Sequence, residues 1–409
     1  MSAAAAIGKT EMARIGIFGG SFNPPHRGHL LAAREQKRLL QLDQVILIPA
    51  LIPPHKQLAD GSPAPEFRLA MTEALAQGDP ALTVSDIELK RVGPSYTADT
   101  LAAIADQRPD DELFLLMGTD MFLSFHTWSR PEVICRYATI CLALREKPSK
   151  KDEAEIRAQT KLLRERYGAR VERVQNEYEE MSSTLIRRML QFDCAESYLT
   201  PEVLDIIRKN GLYGTDLPMK NLPYEELRER SLALHKEKRR DHVVGCSETA
   251  KALAEKWGAD PALARRAGIL HDITKALDKP AHLALCKKYG TVLRDFEIEN
   301  EKLLHSKSGA AVAGGVFGEC PEVVSAIYWH TTGKADMTLL EKIIYMADYM
   351  EPNREFDGVE ELRALAWTDL DRAMLRAFEI SVEMLEQRGR SIDVHSRQAL
   401  EFMQKQLGI

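Results

Sequence analysis

The 409-residue sequence contains no hydrophobic run long enough to cross a membrane. The longest run, Val45–Pro54, spans about ten residues and contains three prolines, whereas a membrane helix needs about 20 apolar residues. The first residues, MSAAAAIGKTEMA, also lack the basic start and the long apolar core of a signal peptide. We therefore expect no membrane partner, and we predict a disordered tail over residues 1–13.

Closely paired cysteines and an excess of basic residues are absent as well. Six cysteines are scattered without a C-x-x-C pair, which favours reduced thiols and a cytoplasmic location. The net charge of −6, from 55 basic and 61 acidic residues, gives no general basic surface for nucleic acid. Apolar residues at 44% and charged residues at 28% are typical of globular proteins and exclude a disordered or fibrous chain. The oligomeric state stays open.

The first half of the chain alternates between short apolar segments and helical patterns. Near-continuous apolar strands separated by helices indicate a parallel sheet covered on both faces, in a doubly wound, Rossmann-like α/β domain. The predicted strands are residues 13–20, 44–50, 82–89, 113–118, 139–144 and 170–175. The predicted helices include residues 30–40, 67–76, 97–105, one from about 183, and 201–209.

The pattern changes near residue 215. Residues 211–224 contain two glycines and two prolines, which predicts a linker over 215–224. The first domain then covers 14–214, and the helical patterns after it predict an all-α bundle over 225–409. Four of the eleven histidines precede residue 215 and seven follow it.

Residues 19–30, GGSFNPPHRGHL, follow the first predicted strand and open the first helix. Gly19 and Gly20 allow a tight turn and a close approach to a phosphate. The helix N-terminus after them attracts anions through its unpaired N–H groups. His26 and His29 flank Gly28, so both imidazoles can reach the same phosphates. This arrangement predicts a phosphate-binding loop.

The H-x-G-H pattern resembles the hallmark of a nucleotidyltransferase superfamily. Its second hallmark appears late in the domain as SSTLIR, residues 182–187. Three more motifs resemble bacterial nicotinate-nucleotide adenylyltransferases over roughly residues 14–214. They are P-P-H-K at 53–56, S-Y-T-A-D-T-L at 95–101, and G-T-D at 118–120 followed by Trp128.

The resemblance implies transfer of AMP from ATP, with Mg²⁺, to nicotinate mononucleotide, giving deamido-NAD and pyrophosphate in NAD biosynthesis. It implies catalytic roles for His26, His29 and Arg187. Asn23 stands where many relatives have Asp, and we expect little effect. The implied ATP-binding residues are Gly19, Gly20, Ser21, Phe22, His26, His29, Gly118, Asp120, Ser183, Thr184 and Arg187. The implied nicotinate-nucleotide-binding residues are Lys56, Tyr96, Thr97 and Trp128.

In the second half, polar residues fall on the apolar stripes of five different predicted helices. A buried carboxylate is costly without a cation nearby, and a metal site inside a helical bundle would accommodate all five residues. The neighbours His271 and Asp272 would differ by about 100° around a helix, so the pair can straddle two metals. His235 and His282 are interpreted as structural, although His282 fits the same pattern. The five residues are His242, His271, His305, His330 and Asp348.

The order His242, His271-Asp272, Asp348 resembles HD-domain phosphohydrolases. The additional His305 and His330 match the dinuclear branch, and residues 330–354 resemble a bacterial subgroup that cleaves diadenosine tetraphosphate symmetrically to two ADP.

This resemblance implies a catalytic Asp272 and two divalent metals. Iron is expected, with manganese, cobalt or nickel as alternatives. Lys275 and Arg354 are candidates for binding a phosphate of this second substrate. Two alternatives stay open for this half: a phosphohydrolase of another nucleotide, such as a monophosphate or cyclic dinucleotide, or a nucleotide-sensing regulatory module. The implied metal ligands are His242, His271, Asp272, His305, His330 and Asp348.

Overall fold

The computed structural model describes residues 12–54, 57–144, 148–176 and 181–409. Within these ranges the chain divides into two compact units. One contains the described residues up to Gln191 together with Ala195–Asp216, and the other contains Phe192–Cys194 and Leu217–Ile409. Residues 1–11 of the predicted disordered tail lie outside the described residues, so the tail stays a prediction.

The described part of the first unit is built on one sheet of six parallel strands. The strands are β1 (Arg14–Gly20), β2 (Gln44–Pro49), β3 (Leu82–Val84), β4 (Glu112–Gly118), β5 (Ala138–Leu144) and β6 (Val171–Gln175). Every residue of β5 and all but the first residue of β2 are buried, because helices cover both faces of the sheet. The predicted doubly wound α/β fold is confirmed.

The strand order β3-β2-β1-β4-β5-β6 reverses its direction between β1 and β4. Ligands of open α/β sheets bind outside the carboxyl ends of the strands at such a switch point. Gly19 and Gly20 end β1, and Gly118 ends β4. The helices of this unit are α1 (Arg27–Leu39), α2 (Pro65–Ala76), α3 (Thr97–Gln107), α4 (Thr119–Ser124), α5 (Pro131–Tyr137), α6 (Lys150–Tyr167), α7 (Ser183–Gln191) and α8 (Pro201–Lys209).

Strand β3 is shorter than predicted and ends at Val84 instead of continuing to residue 89. The chain turns at Asp86, whose backbone carbonyl accepts hydrogen bonds from the N–H groups of Leu89 at 2.9 Å and Lys90 at 3.2 Å. The buried carboxylate of Glu88 accepts a hydrogen bond from the Thr100 hydroxyl at 2.7 Å. These contacts direct the segment towards α3 and away from the sheet.

The second unit is helical throughout its described elements, which confirms the predicted all-α bundle. Helix α14 is buried on every face, since all residues from Leu304 to Ala313 are buried. No helix in the described part of the chain has the length and apolar character to cross a membrane. The helices are α9 (Tyr224–Leu234), α10 (Glu237–Trp257), α11 (Pro261–Leu270), α12 (Lys279–Lys288), α13 (Asp295–Glu299), α14 (Glu301–Gly315), α15 (Pro321–Trp329), α16 (Leu339–Met350), α17 (Val359–Thr368), α18 (Leu370–Gln387) and α19 (Val394–Leu407).

Candidate active sites

The predicted phosphate-binding loop begins where β1 ends. Gly19 and Gly20 are the last two residues of the strand, and the tight turn predicted at these glycines occurs two residues later, at Phe22, with φ of +43°. The Phe22 side chain is buried, which anchors the loop in the core. A Cβ at Gly19 would meet no protein atom within 4 Å. Gly19 therefore leaves open space beside the strand end, whereas a Cβ at Gly20 would lie 3.2 Å from the Phe22 ring. The turn itself comes at Phe22, after Ser21.

His26 and His29 are joined at the start of α1. The backbone N–H of His26, the N-cap residue, donates a hydrogen bond to Nδ1 of His29 at 3.2 Å. Because Nδ1 is the acceptor, a neutral His29 ring carries its proton on Nε2. The two rings lie 3.7 Å apart between centroids. His29 is thus held as an N–H donor at the positive end of a helix.

The second hallmark lies against this loop although it is about 160 residues away in the sequence. The Arg187 guanidinium donates a hydrogen bond to the carbonyl oxygen of Asn23 at 2.7 Å and another to the Thr184 hydroxyl at 3.1 Å. The Ser183 hydroxyl donates to the carbonyl oxygen of Pro24 at 3.1 Å. The structure thus brings Ser183, Thr184 and Arg187 together with the H-x-G-H loop.

Two loop-supporting residues were missed by the sequence analysis. Arg68 of α2 is fully buried and donates hydrogen bonds to the carbonyl oxygens of Ser21 at 2.9 Å, Ala50 at 2.7 Å and Leu51 at 3.2 Å. The Tyr213 hydroxyl donates to the Asn23 side-chain oxygen at 2.9 Å. No local pattern marks either residue, because both act on loops distant in sequence.

The remaining predicted ATP residues lie at the end of the neighbouring strand. Gly118 is the last residue of β4 and the N-cap of α4, and Asp120 is in the first turn of α4. Parallel strands place their carboxyl ends at one edge of the sheet, so Gly118 shares an edge with Gly19 and Gly20. Asp120 is exposed to solvent.

The predicted nicotinate-nucleotide residues lie on two segments connected by an ion pair. Tyr96 is the N-cap residue of α3 and Thr97 is its first residue. Trp128 packs against Phe125 with ring centroids 5.2 Å apart. Asp99, in the first turn of α3, pairs with Arg130 at 2.7 Å, which connects the Tyr96–Thr97 segment to the Trp128 segment. Lys56 lies outside the described residues.

Four histidines of the second unit, His242, His271, His305 and His330, point one ring nitrogen towards a common centre. Three of them use Nδ1 to contact the backbone carbonyl three residues earlier, each at 2.7 Å: His271 with Gly268, His305 with Lys302 and His330 with Ile327. A carbonyl only accepts hydrogen bonds, so Nδ1 carries the proton and a neutral ring leaves Nε2 as a bare acceptor. The Nδ1 of His242 instead lies 3.1 Å from Oε1 of Glu351.

The predicted helix positions of this cluster need one correction. His271 and Asp272 follow the end of α11 at Leu270, and His330 follows the end of α15 at Trp329. The last carbonyls of a helix lack donors within the helix, and the imidazole N–H groups of His271 and His330 supply donors there. The His271–Asp272 pair is therefore presented by a turn.

The bare nitrogens converge with two carboxylates. His242 Nε2 lies 3.3 Å from His271 Nε2 and 3.2 Å from Asp348 Oδ1. His305 Nε2 lies 3.1 Å from His330 Nε2 and 3.2 Å from Asp272 Oδ1. The other Asp272 oxygen, Oδ2, lies 3.6 Å from Nε2 of both His242 and His271. Asp272 therefore connects a His242–His271–Asp348 group to a His305–His330 group.

This donor set fits divalent cations. Acceptors within 3.1–3.3 Å of one another repel unless a proton or a metal cation lies between them, and Asp272 Oδ1 is a buried oxygen that receives no hydrogen bond within the described residues. Two sets of three donors, His242–His271–Asp348 and His271–Asp272–His330, each lie within 4.8 Å of one another. Imidazole and carboxylate ligands suit first-row transition metals.

Charge keeps the carboxylates ionised. Burial acts to raise the pKa of Asp272 and Asp348, but the surrounding imidazoles, and Arg354 at Asp348, hold both pKa values well below the usual range. Burial, with Lys275 nearby, lowers the pKa of His305 to about 3, so its ring is neutral. Neutral imidazoles and ionised carboxylates are the forms that bind metals. Burial acts to lower the pKa of His271, but the neighbouring Cys246, Asp272 and Asp348 hold it well above its usual range, so a cation bound there displaces a proton from His271.

Three cations surround the two carboxylates. Arg239 donates to Asp272 Oδ2 through Nε at 2.8 Å and also through NH2, and Arg354 contacts Oδ1 of Asp348. Lys275 Nζ lies 2.8 Å from His305 Nε2 and 3.6 Å from Asp272 Oδ1. The three cationic side chains are 30–40% exposed, so a solvent-borne anion can reach them.

The sequence predicted Lys275 and Arg354 as residues of this site but not Arg239, the third cation, or Glu351, the partner of His242. A usable signal existed: Arg239 precedes His242 by three residues and Glu351 follows Asp348 by three, so each lies one helical turn from a predicted ligand. His282 and His235 are buried but belong to neither three-donor set found among the described residues. His282 instead contacts the Ser308 hydroxyl at 2.7 Å.

A cavity of about 530 Å³ adjoins the cluster, with His330 and Asp348 in its wall. Four aromatic residues, Phe296, Tyr345, Tyr349 and Phe378, also line it. The rings of Tyr345 and Tyr349 stack with centroids 5.7 Å apart. This volume is typical of small-molecule sites, so the cavity can hold an aromatic group next to the carboxylates.

Comparison with known proteins matches the two halves of the chain to different families. Residues 17–189 match the cytidylyltransferase-like family. A probable nicotinate-nucleotide adenylyltransferase of Carboxydothermus hydrogenoformans is 40% identical over 202 residues, covering 49% of this chain and 98% of that protein. A probable nicotinate-nucleotide adenylyltransferase of Thermus thermophilus is 39% identical over 201 residues, covering 49% and 99%. The first half of the chain belongs to the nicotinate-nucleotide adenylyltransferase family.

The second half matches a different family. Residues 239–353 match the HD domain. This range includes all six predicted metal ligands. The crystal structure of a predicted HD superfamily hydrolase involved in NAD metabolism from Clostridium acetobutylicum is 36% identical, covers 45% of this chain and 98% of that chain, and has a TM-score of 0.44. The chain thus combines an adenylyltransferase-like domain with an HD domain.

Proposed function

We propose that the chain is a bifunctional enzyme with one active site in each half. Residues 14–214 form the adenylyltransferase, 215–224 the linker and 225–409 the phosphohydrolase. The first site transfers AMP from ATP to nicotinate mononucleotide, as the names of its relatives describe for them. The supporting observation is the contact of Arg187 and Ser183 with the Asn23–Pro24 backbone, because it joins two phosphate-binding motifs near the switch point of the sheet.

The proposed transfer needs no general base. An oxygen of the nicotinate mononucleotide phosphate attacks the α-phosphorus of ATP, a new P–O bond forms, and the bond to the bridging oxygen breaks, so that pyrophosphate leaves with the electron pair. The protein must hold two anions in line and stabilise the developing charge. His29 donates through Nε2–H, Arg187 supplies a cation, and the N-terminus of α1 supplies N–H groups. Mg²⁺ enters with ATP.

For the second site we propose hydrolysis of diadenosine tetraphosphate to two ADP. The supporting observation is the ring formed by Arg239, Lys275 and Arg354 around Asp272 and Asp348. Three cations in addition to two divalent metals give more positive charge than a monophosphate needs. The four negative charges of a tetraphosphate chain match this surplus.

The chain's own residues have distinct tasks in this reaction. Two divalent cations, held by His242, His271, Asp272, His305, His330 and Asp348, would supply Lewis-acid stabilisation and activate the attacking water. Water attacks a phosphorus beside the central bridging oxygen, the bond to that oxygen breaks, and one proton is released with the two ADP products. Arg239, Lys275 and Arg354 hold phosphate oxygens, and the aromatic cavity holds one adenosine. We propose iron as the metal, with manganese, cobalt and nickel as the alternatives to compare.

Product analysis on the full-length protein tests the second activity. The protein is loaded without oxygen with Fe²⁺, or with Mn²⁺, and incubated with diadenosine tetraphosphate. ADP is expected as the single nucleotide product, and Asp272→Asn should lower its rate by at least about 100-fold. Equal amounts of ATP and AMP would overturn symmetrical cleavage. Faster hydrolysis of AMP or a cyclic dinucleotide would identify a different nucleotide substrate, and binding without hydrolysis would favour a sensing role.

The first activity is tested by pyrophosphate release from ATP with nicotinate mononucleotide. His29→Ala should lower kcat by about 100-fold or more, because one pre-oriented donor to the phosphates is lost. A near-normal rate in His29→Ala would contradict the assigned phosphate contact. Nicotinamide mononucleotide serves as the comparison substrate and reports the choice of pyridine ring.

A further inference from the structure

Glu351 orients one of the four histidines of the HD cluster, whereas the other three are oriented by backbone. His271, His305 and His330 each contact a carbonyl of their own chain segment, three residues earlier. His242 of α10 contacts a side chain from the end of α16, with Nδ1 at 3.1 Å from Glu351 Oε1. The orientation of His242 therefore depends on one carboxylate distant in sequence.

The carboxylate of Glu351 is held in a fixed position. The residue is 1% exposed, and its second oxygen, Oε2, accepts hydrogen bonds from the Asn353 backbone N–H at 2.8 Å and the Asn353 side-chain amide at 2.9 Å. Arg363 holds the Glu351 backbone by donating to its carbonyl oxygen at 2.8 Å. With Oε2 occupied by two donors, Oε1 is directed at the His242 ring.

Helix α10 has space for this carboxylate only because residue 245 is glycine. A Cβ at Gly245 would lie 2.4 Å from Oε2 of Glu351 and 3.3 Å from the side-chain nitrogen of Asn353. Gly245 lies one turn beyond His242 on the same helix. Any larger residue at this position would displace the carboxylate from the ring that it contacts.

We infer that Glu351 is a positioning residue that keeps the proton of His242 on Nδ1 and leaves Nε2 for the cation of the His242–His271–Asp348 group. This inference rests on the proposed metal site. A carboxylate that accepts from a metal-binding imidazole fixes its tautomer and raises its basicity, and its loss typically weakens metal binding 10–100-fold. Because Glu351 contacts His242 and no other histidine of the described cluster, the effect falls on one of the two cation positions.

Glu351→Gln is a sharp test because neither orientation of the amide satisfies both neighbours. If the glutamine oxygen faces Asn353, its NH₂ group faces His242 Nδ1 and moves the ring proton to Nε2, where the cation should bind. If the oxygen faces His242, the NH₂ group faces the two N–H donors of Asn353. The control is Glu341→Gln. Glu341 lies on α16 and is also 1% exposed, but its carboxylate pairs with Lys334 at 3.1 Å.

The experiment measures Mn²⁺ binding to the full-length protein by equilibrium dialysis and metal analysis. Wild type and Glu341→Gln should bind two ions per chain tightly, whereas Glu351→Gln should retain one tight ion and bind the second 10–100-fold more weakly. Proton–nitrogen correlation spectra of the metal-free protein should show a single change of tautomer, at His242.

The possible outcomes separate the inference from the proposed function. If wild type binds no Mn²⁺, the proposed function fails. If wild type and Glu351→Gln bind two ions equally tightly, the positioning role alone is overturned. Should Glu351→Gln not fold, Asn353→Ala decides instead: loss of one donor to Oε2 should weaken the same cation position by a smaller factor, and unchanged affinity would contradict the inference.

Discussion

In the predicted phosphate-binding loop, the close contacts around Gly28 explain why the H-x-G-H pattern has a glycine at this position. A Cβ at position 28 would lie 3.0 Å from Nδ1 of His26 and 3.2 Å from Cβ of Met181. Both contacts are tighter than ordinary van der Waals separation. The glycine therefore lets the His26 ring lie against the helix and contact the His29 ring, with centroids 3.7 Å apart.

Gly28→Ala should impair catalysis without unfolding the chain. The new methyl group would displace the His26 ring by a few tenths of an ångström, and small misplacements of catalytic groups can cost about 100-fold in rate. We expect kcat for pyrophosphate release to fall 10–100-fold while the melting temperature changes by no more than a few degrees. Leu31→Ala, at an exposed position of the same helix, provides the control. An unchanged kcat would show that the loop tolerates the shift.

Arg68 of α2 supports the same loop through a hydrogen bond to the carbonyl oxygen of Ser21. Its guanidinium donates to the carbonyl oxygens of Ser21, Ala50 and Leu51. Arg68→Met would leave the Ala50 acceptor buried without a donor, at about 1–3 kcal/mol, and the two half-buried acceptors at a smaller cost. We expect the unfolding free energy to fall by about 2–4 kcal/mol and the KM for ATP to rise. Denaturant unfolding and steady-state kinetics measure the two effects.

The variant Arg68→Lys separates charge from geometry. A lysine restores the charge but cannot reproduce the planar fork that reaches three carbonyls. We therefore expect Arg68→Lys to recover only part of the lost stability. Full recovery of both stability and KM would show that charge alone matters at this position.

At the scale of elements, a buried ionic network joins α13, α14 and α19. Lys307 of α14 is fully buried and lies 3.4 Å from Glu297 Oε1 and 3.5 Å from the centroid of the Tyr328 ring. Arg294 contacts Glu297 at 2.9 Å and Asp393 at 2.6 Å, and Asp393 is the N-cap residue of α19. The buried charge of Lys307 on α14 is tolerated because it is paired with a carboxylate and lies over aromatic rings.

Removing two partners of this network together should cost less than the sum of removing each one alone. Lys307→Met should lower the unfolding free energy of the second unit by about 2–4 kcal/mol, since Glu297 stays buried with less compensating charge. Lys307→Met with Glu297→Gln should cost less than the sum of the two single changes. Denaturant unfolding followed by the fluorescence of Trp329, which lies beside Lys307, measures the coupling. Strictly additive effects would contradict it.

The elements also show what could be predicted from the sequence. Apolar continuity identified all six strands, and only β3 was placed too long by more than one residue. The turn at Asp86 and the bond from Thr100 to Glu88, which end β3 early, depend on contacts that the apolar pattern does not record. The histidine stripes identified residues that the structure brings within 3.1–3.3 Å of one another. Sequence periodicity carries information about burial, and burial was enough to find these donors.

Residues that act across elements could not be predicted in the same way. Arg68 contacts loops 17 to 47 positions away, and Glu351 contacts His242 at a separation of 109. No periodic pattern records such a pairing. The spacing of Glu351 from Asp348 places it one turn from a predicted ligand but does not show its contact with His242, and Arg68 looks locally like an ordinary charged residue of a helix. Only the tertiary fold shows that these charges are buried and directed at a site.

At the scale of the whole molecule, two sites are built from separate sets of residues. The first uses residues of the unit that ends at Asp216, and the second uses residues between Arg239 and Arg354 of the other unit. Neither donor set includes a residue from the other unit. This separation predicts that each activity can be abolished alone in the full-length chain.

We expect His29→Ala to lower the rate of pyrophosphate release by about 100-fold or more and to leave ADP release from diadenosine tetraphosphate within about twofold of wild type. Asp272→Asn should do the reverse, because Asp272 connects the two donor groups of the second site. The test measures pyrophosphate release and ADP release in each variant, at matched metal loading. A fall in the transferase rate of Asp272→Asn would contradict independence and would favour a regulatory role for the HD domain, since the state of its metal cluster would then control the first site.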